Sequence, residues 1–386
     1  MKIYKLNKEV NLKALMEKIG VDKAGVEIMS KKKCEFVFFI KEISCGAANI
    51  LKQDALSIGA DVALPKGVPN CKKKYFNAIL LCNKKQLEIL SKKELFQPFG
   101  LKNLAFKLKE FTNLPKFEPK IMGVVNVNDD SFYEGSRFKG VEAIKTIEKM
   151  IEDGAKIIDI GGVSSRPGSV YPGVEEELKR VKPVIDEIYK TKLYEKAVFS
   201  IDTFMPKVLE YALSKGFKIA NDITGLENDE YAKVVSRYKA KVVIMHKKGD
   251  PKNMQDNPFY EDVILEIDKF FDERIQKAKY FGIEDIILDV GIGFGKRLED
   301  NISLIKHLEH FLHFGYELLI GASRKSMIDI IMKEEKISTT PNERLAGTLA
   351  IHLEAIRNGA SIIRCHDVFE HFQAIKVFEK IRSFVV

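Results

Sequence analysis

Residues 119–386 predict a closed parallel (β/α)8 barrel, and residues 1–118 a small α/β domain in front of it. Three observations carry this. Short apolar runs recur after position 118, each followed by a segment of helical period, which is the pattern of a parallel sheet with helices outside. The regular part spans about 265 residues, close to the ~250 typical of a barrel. Each run also ends in polar or glycine residues, and in a barrel those ends share one mouth. Together these features describe a TIM barrel, with a doubly wound open sheet as the alternative.

In the first part, 12–19 and 47–58 read as amphipathic helices, 35–40 and 76–82 as short strands, and 87–95 as helix. Two prolines, Pro115 and Pro119, mark its end. The apolar runs that follow are 121–127, 157–160, 198–201, 218–221, 242–245, 286–288, 318–320 and 362–365. Between them 141–152, 174–189, 205–214, 263–281, 301–314 and 344–358 carry a helical period.

Composition narrows the function classes. With 45% hydrophobic and 31% charged residues the chain is globular, not disordered. No run reaches the ~18 apolar residues of a membrane span. The start lacks a signal-peptide core, which predicts a cytoplasmic protein. A net charge of +8 permits anionic substrates without arguing for nucleic acid. Five cysteines, with Cys34, Cys45, Cys71 and Cys82 spaced as two C-x10-C pairs and Cys365 apart, argue against a disulfide framework. Buried structural thiols are the expectation, because a zinc site lacks the C-x2-C spacing.

The run ends collect Asn126, Asp159, Asp202, Asn221, Asp222, His246, Asp289, Ser323, Arg324, Lys325, Arg364, His366 and Asp367. Any one Asp or Asn there reads as a helix cap. Such groups at all eight ends read as a binding site.

The motifs resemble the dihydropteroate synthases. Met122-Gly123-Val124-Val125-Asn126-Val127-Asn128-Asp129-Asp130-Ser131-Phe132 opens the likeness, and Asp159-Ile160-Gly161-Gly162-Val163-Ser164-Ser165-Arg166-Pro167-Gly168 continues it. Ser200-Ile201-Asp202-Thr203, Asn221-Asp222-Ile223, Met245-His246, Leu288 to Lys296, Ser323-Arg324-Lys325-Ser326 and Arg364-Cys365-His366-Asp367 follow in order. The likeness covers 120 to about 380, and the first 118 residues resemble the extension of a longer form of these enzymes. It implies the joining of 4-aminobenzoate to (7,8-dihydropterin-6-yl)methyl diphosphate, a step of folate synthesis and the target of sulfonamides. It also implies Mg2+, small-molecule substrates and a homodimer, with no nucleic-acid or membrane partner. A pterin-binding methyltransferase of the same superfamily and a non-catalytic pterin-binding protein are the rivals.

The same resemblance implies roles. Asp202, Asn221 and Asp289 accept from the pterin's donor edge, Met245 lines the pocket, and Lys325 reaches the ring's carbonyl side. Arg364 stacks on the ring and, with His366, Ser165 and Asn126, holds diphosphate. Asn126 holds the metal. Ser165, Arg166, Pro167, Phe294, Lys325 and Ser326 form the aminobenzoate site. Lys325, Arg364, His366 and Arg166 are the expected catalytic residues. The chain departs from the family at Asn128-Asp129 (usually Thr-Pro), Glu134 (Asp), Val163 (Glu), Ser165 (Thr), Val290 (Pro) and Ala322 (Thr). Gly291-x-Gly293-x-Gly295-Lys296 lacks the spacing of a nucleotide-phosphate loop. His307, His310 and His313, every third residue of an expected α-helix, drift off one face and read as a solvated stripe rather than a metal site.

Overall fold

A computed structural model describes residues 12–18, 21, 23–30, 35–127, 136–163, 171–249, 254 and 257–384. It divides into two compact units, residues 1–114 with 379–386 and residues 115–378, where the sequence expectation was one boundary at 118.

The first unit holds a three-stranded antiparallel sheet in the order β1 (Glu35–Ser44), β3 (Tyr75–Asn83), β2 (Asp61–Ala63). Burial alternates strictly along β3, so one face meets a core of Leu51, Val62, Leu80, Leu87 and Leu90. The helices Cys45–Ser57 and Lys84–Lys93 match expectation, and the second begins with a capping box between Asn83 and Gln86. Helices Lys23–Ser30 and Leu101–Glu110 and strand β2 escaped the sequence reading. Cys45 and Cys71 form a disulfide, which corrects the expectation of thiols alone. Their Cα atoms lie 5.5 Å apart because a helix start and a turn between strands converge. Cys82 and Cys365 are buried free thiols, as expected.

The second unit is the barrel. Its strands are β4 (Lys120–Asn126), β5 (Ile157–Gly161), β6 (Val198–Asp202), β7 (Ile219–Asp222), β8 (Lys241–Met245), β9 (Ile286–Asp289), β10 (Glu317–Ile320) and β11 (Ile362–Cys365). All pairs are parallel, and β11 closes on β4. Each coincides with an apolar run. The segment 301–314 does not form one helix. An α-helix, Leu298–Lys306, gives way to a 3₁₀ helix, Leu308–Phe314, that Gly315 ends in the left-handed region at φ +86°. Helix Asp229–Tyr238 was missed. Among the described residues no helix is long and apolar enough to cross a membrane.

Register positions the site. Met122, Ile157, Ile219, Val243, Ile287, Leu319 and Ile362 form one buried apolar cluster inside the barrel. Strand side chains alternate, so the residue two further on points inward again, one layer nearer the C-terminal mouth. Those residues are Val124, Asp159, Asn221, Met245, Asp289, Gly321 and Arg364; on β6 the step runs from buried Ser200 to Asp202. A greasy floor thus carries a partly polar layer, written into β5, β7, β9 and β11 as apolar-x-polar.

Candidate active site

Arg364 is the hub of the polar layer. Its Nε donates to Asp159 Oδ2 at 2.7 Å, and its terminal nitrogen to Asp202 Oδ2 at 2.8 Å. Asn221 Nδ2 donates to the same Asp159 oxygen at 3.0 Å. Asp159 is fully buried, and its Oδ1 has no partner among the described residues. Two carboxylates around one guanidinium leave the cluster short of positive charge. Burial accordingly pushes the Asp202 carboxyl up, Arg364 pulls it back, and Asp159 adds to the rise. Gly161 separates Asn126 from Asp202: a Cβ there would lie 3.5 Å from Asn126 Oδ1 and 3.6 Å from Asp202 Cβ. The Asn126 carbonyl oxygen therefore stands at the rim, beside the carboxylates.

Across the mouth, Asp289 Oδ1 accepts from Gly291 N at 2.7 Å. Burial raises its carboxyl against the pull of that hydrogen bond and of Lys325. Lys325 occupies the N-cap position of helix Ser326–Glu334. Its ammonium donates to Ile292 O and sits 4.3 Å from the centre of the Phe294 ring. Burial pushes Lys325 down to about 8, with Asp289 opposing. Met245 is buried in the wall, and Ser326 is exposed and borders a cleft with Asn257, Pro258 and Gly293.

His366 completes the far side. Its Nδ1 meets Ser323 Oγ at 2.9 Å, tying the end of β11 to the loop after β10. The next residues repeat the tie: Arg324 Nε donates to Asp367 Oδ2 at 3.1 Å. Of the predicted site residues, Asn126, Asp202, Asn221, Met245, Asp289, Phe294, Lys325, Ser326, Arg364 and His366 belong to this end of the barrel. Ser165, Arg166 and Pro167 lie outside the described residues, as do Asn128, Asp129 and Glu134.

Sequence reasoning missed three supports. Asp159 was seen as a strand end but not as the anchor of Arg364. Lys296, only 3% exposed, donates to the carbonyls of His246, Gly291 and Phe294 at 3.0–3.2 Å and meets His246 Nδ1 at 3.0 Å. It knots the loop after β9 to the end of β8. The third is a relay of buried histidines. Ala322 N donates to His352 Nε2 at 3.0 Å, His352 Nδ1 meets His371 Nε2 at 2.8 Å, and His371 Nδ1 meets Asp367 O at 2.5 Å. Because the first link forces Nε2 to accept, the proton sits on Nδ1 of both rings. The relay holds the loop carrying Ser323 to Lys325 against the end of β11. Its only trace in the sequence is two histidines on apolar helix faces.

The comparisons with known proteins agree with this geometry. The family model for pterin binding enzymes matches residues 122–366. A bifunctional dihydropteroate synthase/dihydropteroate reductase of Helicobacter pylori is 43% identical over 386 residues, covering 99% of this chain and 100% of that one. The dihydropteroate synthase of Escherichia coli is 41% identical over 271 residues, 69% of this chain and 93% of its own. A crystal structure of the Yersinia pestis dihydropteroate synthase with a sulfonamide drug complex superposes with a TM-score of 0.64 at 36% identity, covering 69% of this chain and 95% of that one. A methyltransferase is not favoured by any of these. With a polar layer of aspartates around one arginine on a closed barrel, and this likeness along nearly its whole length, the chain belongs to the pterin-binding enzymes and, among them, to the dihydropteroate synthase family.

Proposed function

We propose that the barrel mouth condenses (7,8-dihydropterin-6-yl)methyl diphosphate with 4-aminobenzoate, giving 7,8-dihydropteroate and diphosphate. The supporting observation is that two cations, Arg364 and Lys325, are held over buried acceptors at the end of one sheet. A pterin is flat, with a donor edge and a carbonyl. Asp202, Asn221 and Asp289 supply acceptors for the first, and the Lys325 ammonium a donor for the second. Leaving one such group unpaired in a dry pocket costs about 1–3 kcal/mol, which is the source of selectivity.

The C–O bond to diphosphate breaks first, and its electron pair leaves with the diphosphate. Arg364 and His366 meet that charge, aided by the start of helix Val368–Ser383. The methylene carbon becomes a cation spread over the pterin ring. The aminobenzoate nitrogen then attacks it and releases a proton to solvent, so no protein nucleophile is needed. Ser165, Arg166, Pro167, Phe294, Lys325 and Ser326 are the proposed aminobenzoate neighbours. Asn126 fits Mg2+ by offering a carbonyl oxygen at the rim, and the ion would take further ligands from water and diphosphate. Its chemistry is to neutralise charge on the leaving group. We further propose a homodimer of this chain.

The test is incubation with both substrates and Mg2+ and chromatographic detection of dihydropteroate, beside Lys325→Ala and Asp289→Ala. Absence of product from wild type overturns the reading.

One observation favours a second activity. The Helicobacter pylori relative that carries a reductase in its name aligns over the whole chain, whereas the Escherichia coli synthase covers only 69% of it. We propose that this chain, too, reduces dihydropteroate, taking a hydride from an added reduced flavin or reduced nicotinamide and one proton from solvent. Loss of reduction with retention of synthase activity on deleting 1–114 would assign the step to the first unit; no reduction by the full chain would refute it.

A further inference from the structure

Away from the mouth, three side chains converge on the outer helical layer. His310 and His313 come from the 3₁₀ helix Leu308–Phe314, and Asp268 from helix Val263–Tyr280. Every-third-residue spacing drifts around an α-helix but stays in line on a 3₁₀ helix, which has three residues per turn. On an α-helix the two rings would stand about 60° apart around the axis, and the 3₁₀ turn brings them into line. His313 Nε2 lies 2.6 Å and His310 Nε2 3.0 Å from the same oxygen, Asp268 Oδ1. The three atoms all fall within 4.8 Å of one another.

Aromatic rings back the cluster. His313 packs on Phe314 with centroids 4.0 Å apart, and Phe271 meets Phe311 edge-on at 5.5 Å. These contacts limit the rotamers of both elements. The His310 side chain is 27% exposed and that of Asp268 23%, so an ion has an approach from solvent.

We propose that Asp268, His310 and His313 bind a divalent transition-metal ion of the zinc class, joining the 3₁₀ segment to helix Val263–Tyr280. Two imidazoles and one carboxylate are a usual zinc donor set, at about 2.0–2.2 Å per bond, with a fourth position left to water. Ligands at such lengths stand roughly 3.3 Å apart around a tetrahedral ion, so Asp268 Oδ1, now 2.6 Å and 3.0 Å from the two Nε2 atoms, would retreat by less than about 1 Å. Each ring would then keep its proton on Nδ1 and turn the Nε2 lone pair to the metal. The nitrogen-rich set disfavours Mg2+ and Ca2+, which prefer oxygen, so the site is chemically distinct from the one proposed at Asn126. The bound ion would brace the segment that leads into β10, whose far end carries Ser323 to Lys325.

The experiment uses the full chain without a histidine tag, stripped with chelator and kept in Mg2+. Zinc is titrated against a chromophoric chelator, and Co2+ is added separately as an optical probe. One zinc per chain is expected, together with tetrahedral Co2+ bands lacking a thiolate charge-transfer band, and a melting temperature raised by zinc. His310→Gln with His313→Gln should lower zinc affinity beyond the ~10–100-fold typical of losing an outer-sphere partner. Synthase activity in Mg2+ should be unchanged by this double variant, which shows that it folds. Equal zinc binding by wild type and the variant, or none by wild type at micromolar zinc, overturns the proposal. The cluster would then be a hydrogen-bonded knot only.

Discussion

Arg364 is oriented by Asp159 across a 2.7 Å hydrogen bond that runs from the last strand of the barrel to the second. Asp159 is fully buried, and Asp202 holds the other end of the guanidinium. The arginine is thereby aimed before any ligand arrives. Asp159→Asn keeps the shape of the carboxylate but removes its charge and one acceptor. Misplacement of a positioning group by about 1 Å costs up to ~10²-fold in rate. The expected result is a 10–100-fold fall in kcat/KM for the pterin diphosphate at unchanged melting cooperativity. A change within twofold would show that Asp202 alone suffices.

Lys325 makes the rate depend on pH. Burial holds its ammonium down at about 8. The charged form exists below that value and is lost above it. The kcat/KM profile should therefore decline above about pH 8. Lys325→Arg, which stays charged, should be slower but lose that alkaline limb. An unshifted limb in the variant would assign it to another group.

The buried histidine relay should make stability sensitive to acid. Burial lowers His352 and His371 below their ordinary value of 6.5. Below that pH the unfolded chain takes up protons that the folded chain refuses, so stability falls as pH falls. Each imidazole contributes at most about 1.4 kcal/mol per pH unit, while the pH lies between its folded and unfolded values. His352→Phe with His371→Leu should be less stable at pH 7.5, having stranded Ala322 N. Its urea midpoint should then fall less steeply toward pH 5 than that of wild type. Parallel slopes would sink the idea.

Gly291 has no substitute. Its φ is +68°, and an added Cβ would stand 1.9 Å from the backbone oxygen of His246. Gly291→Ala should cost about 3 kcal/mol or more, from strain and a steric clash together. Gly315, at φ +86° with nothing within 4 Å of an added Cβ, is the control. Gly315→Ala should cost only about 1 kcal/mol. Urea denaturation of the pair measures the difference, and equal losses would show that the close approach is relaxed at little cost.

Chelation should abolish synthase activity, and Mg2+ should restore it. Asn126→Ala should raise the Mg2+ concentration needed for half-activity by about tenfold, the cost of one ligand contact of roughly 1.4 kcal/mol. An unchanged requirement would remove Asn126 from the metal.

The order of eight strands and the polar residue at each strand end were legible in the sequence. Apolar runs of three to seven residues that alternate with segments of helical period read as buried strands between helices. The apolar-x-polar step from Ile287 to Asp289, or from Ile362 to Arg364, needs only the two-residue period of a strand to put both on one face. Tertiary structure decided the rest. Which aspartate holds Arg364 depends on the closure of β11 against β4, beyond any local pattern. The partnership of His352 with His371, and of Lys296 with carbonyls on two loops, depends on chain segments packed from far apart in sequence. So does the Cys45–Cys71 bridge. His310 and His313 show the limit most directly. Their spacing has one meaning on an α-helix and another on a 3₁₀ helix. Leu308, Phe311 and Leu312 are buried around them, and only the packed structure shows which helix type carries the two rings.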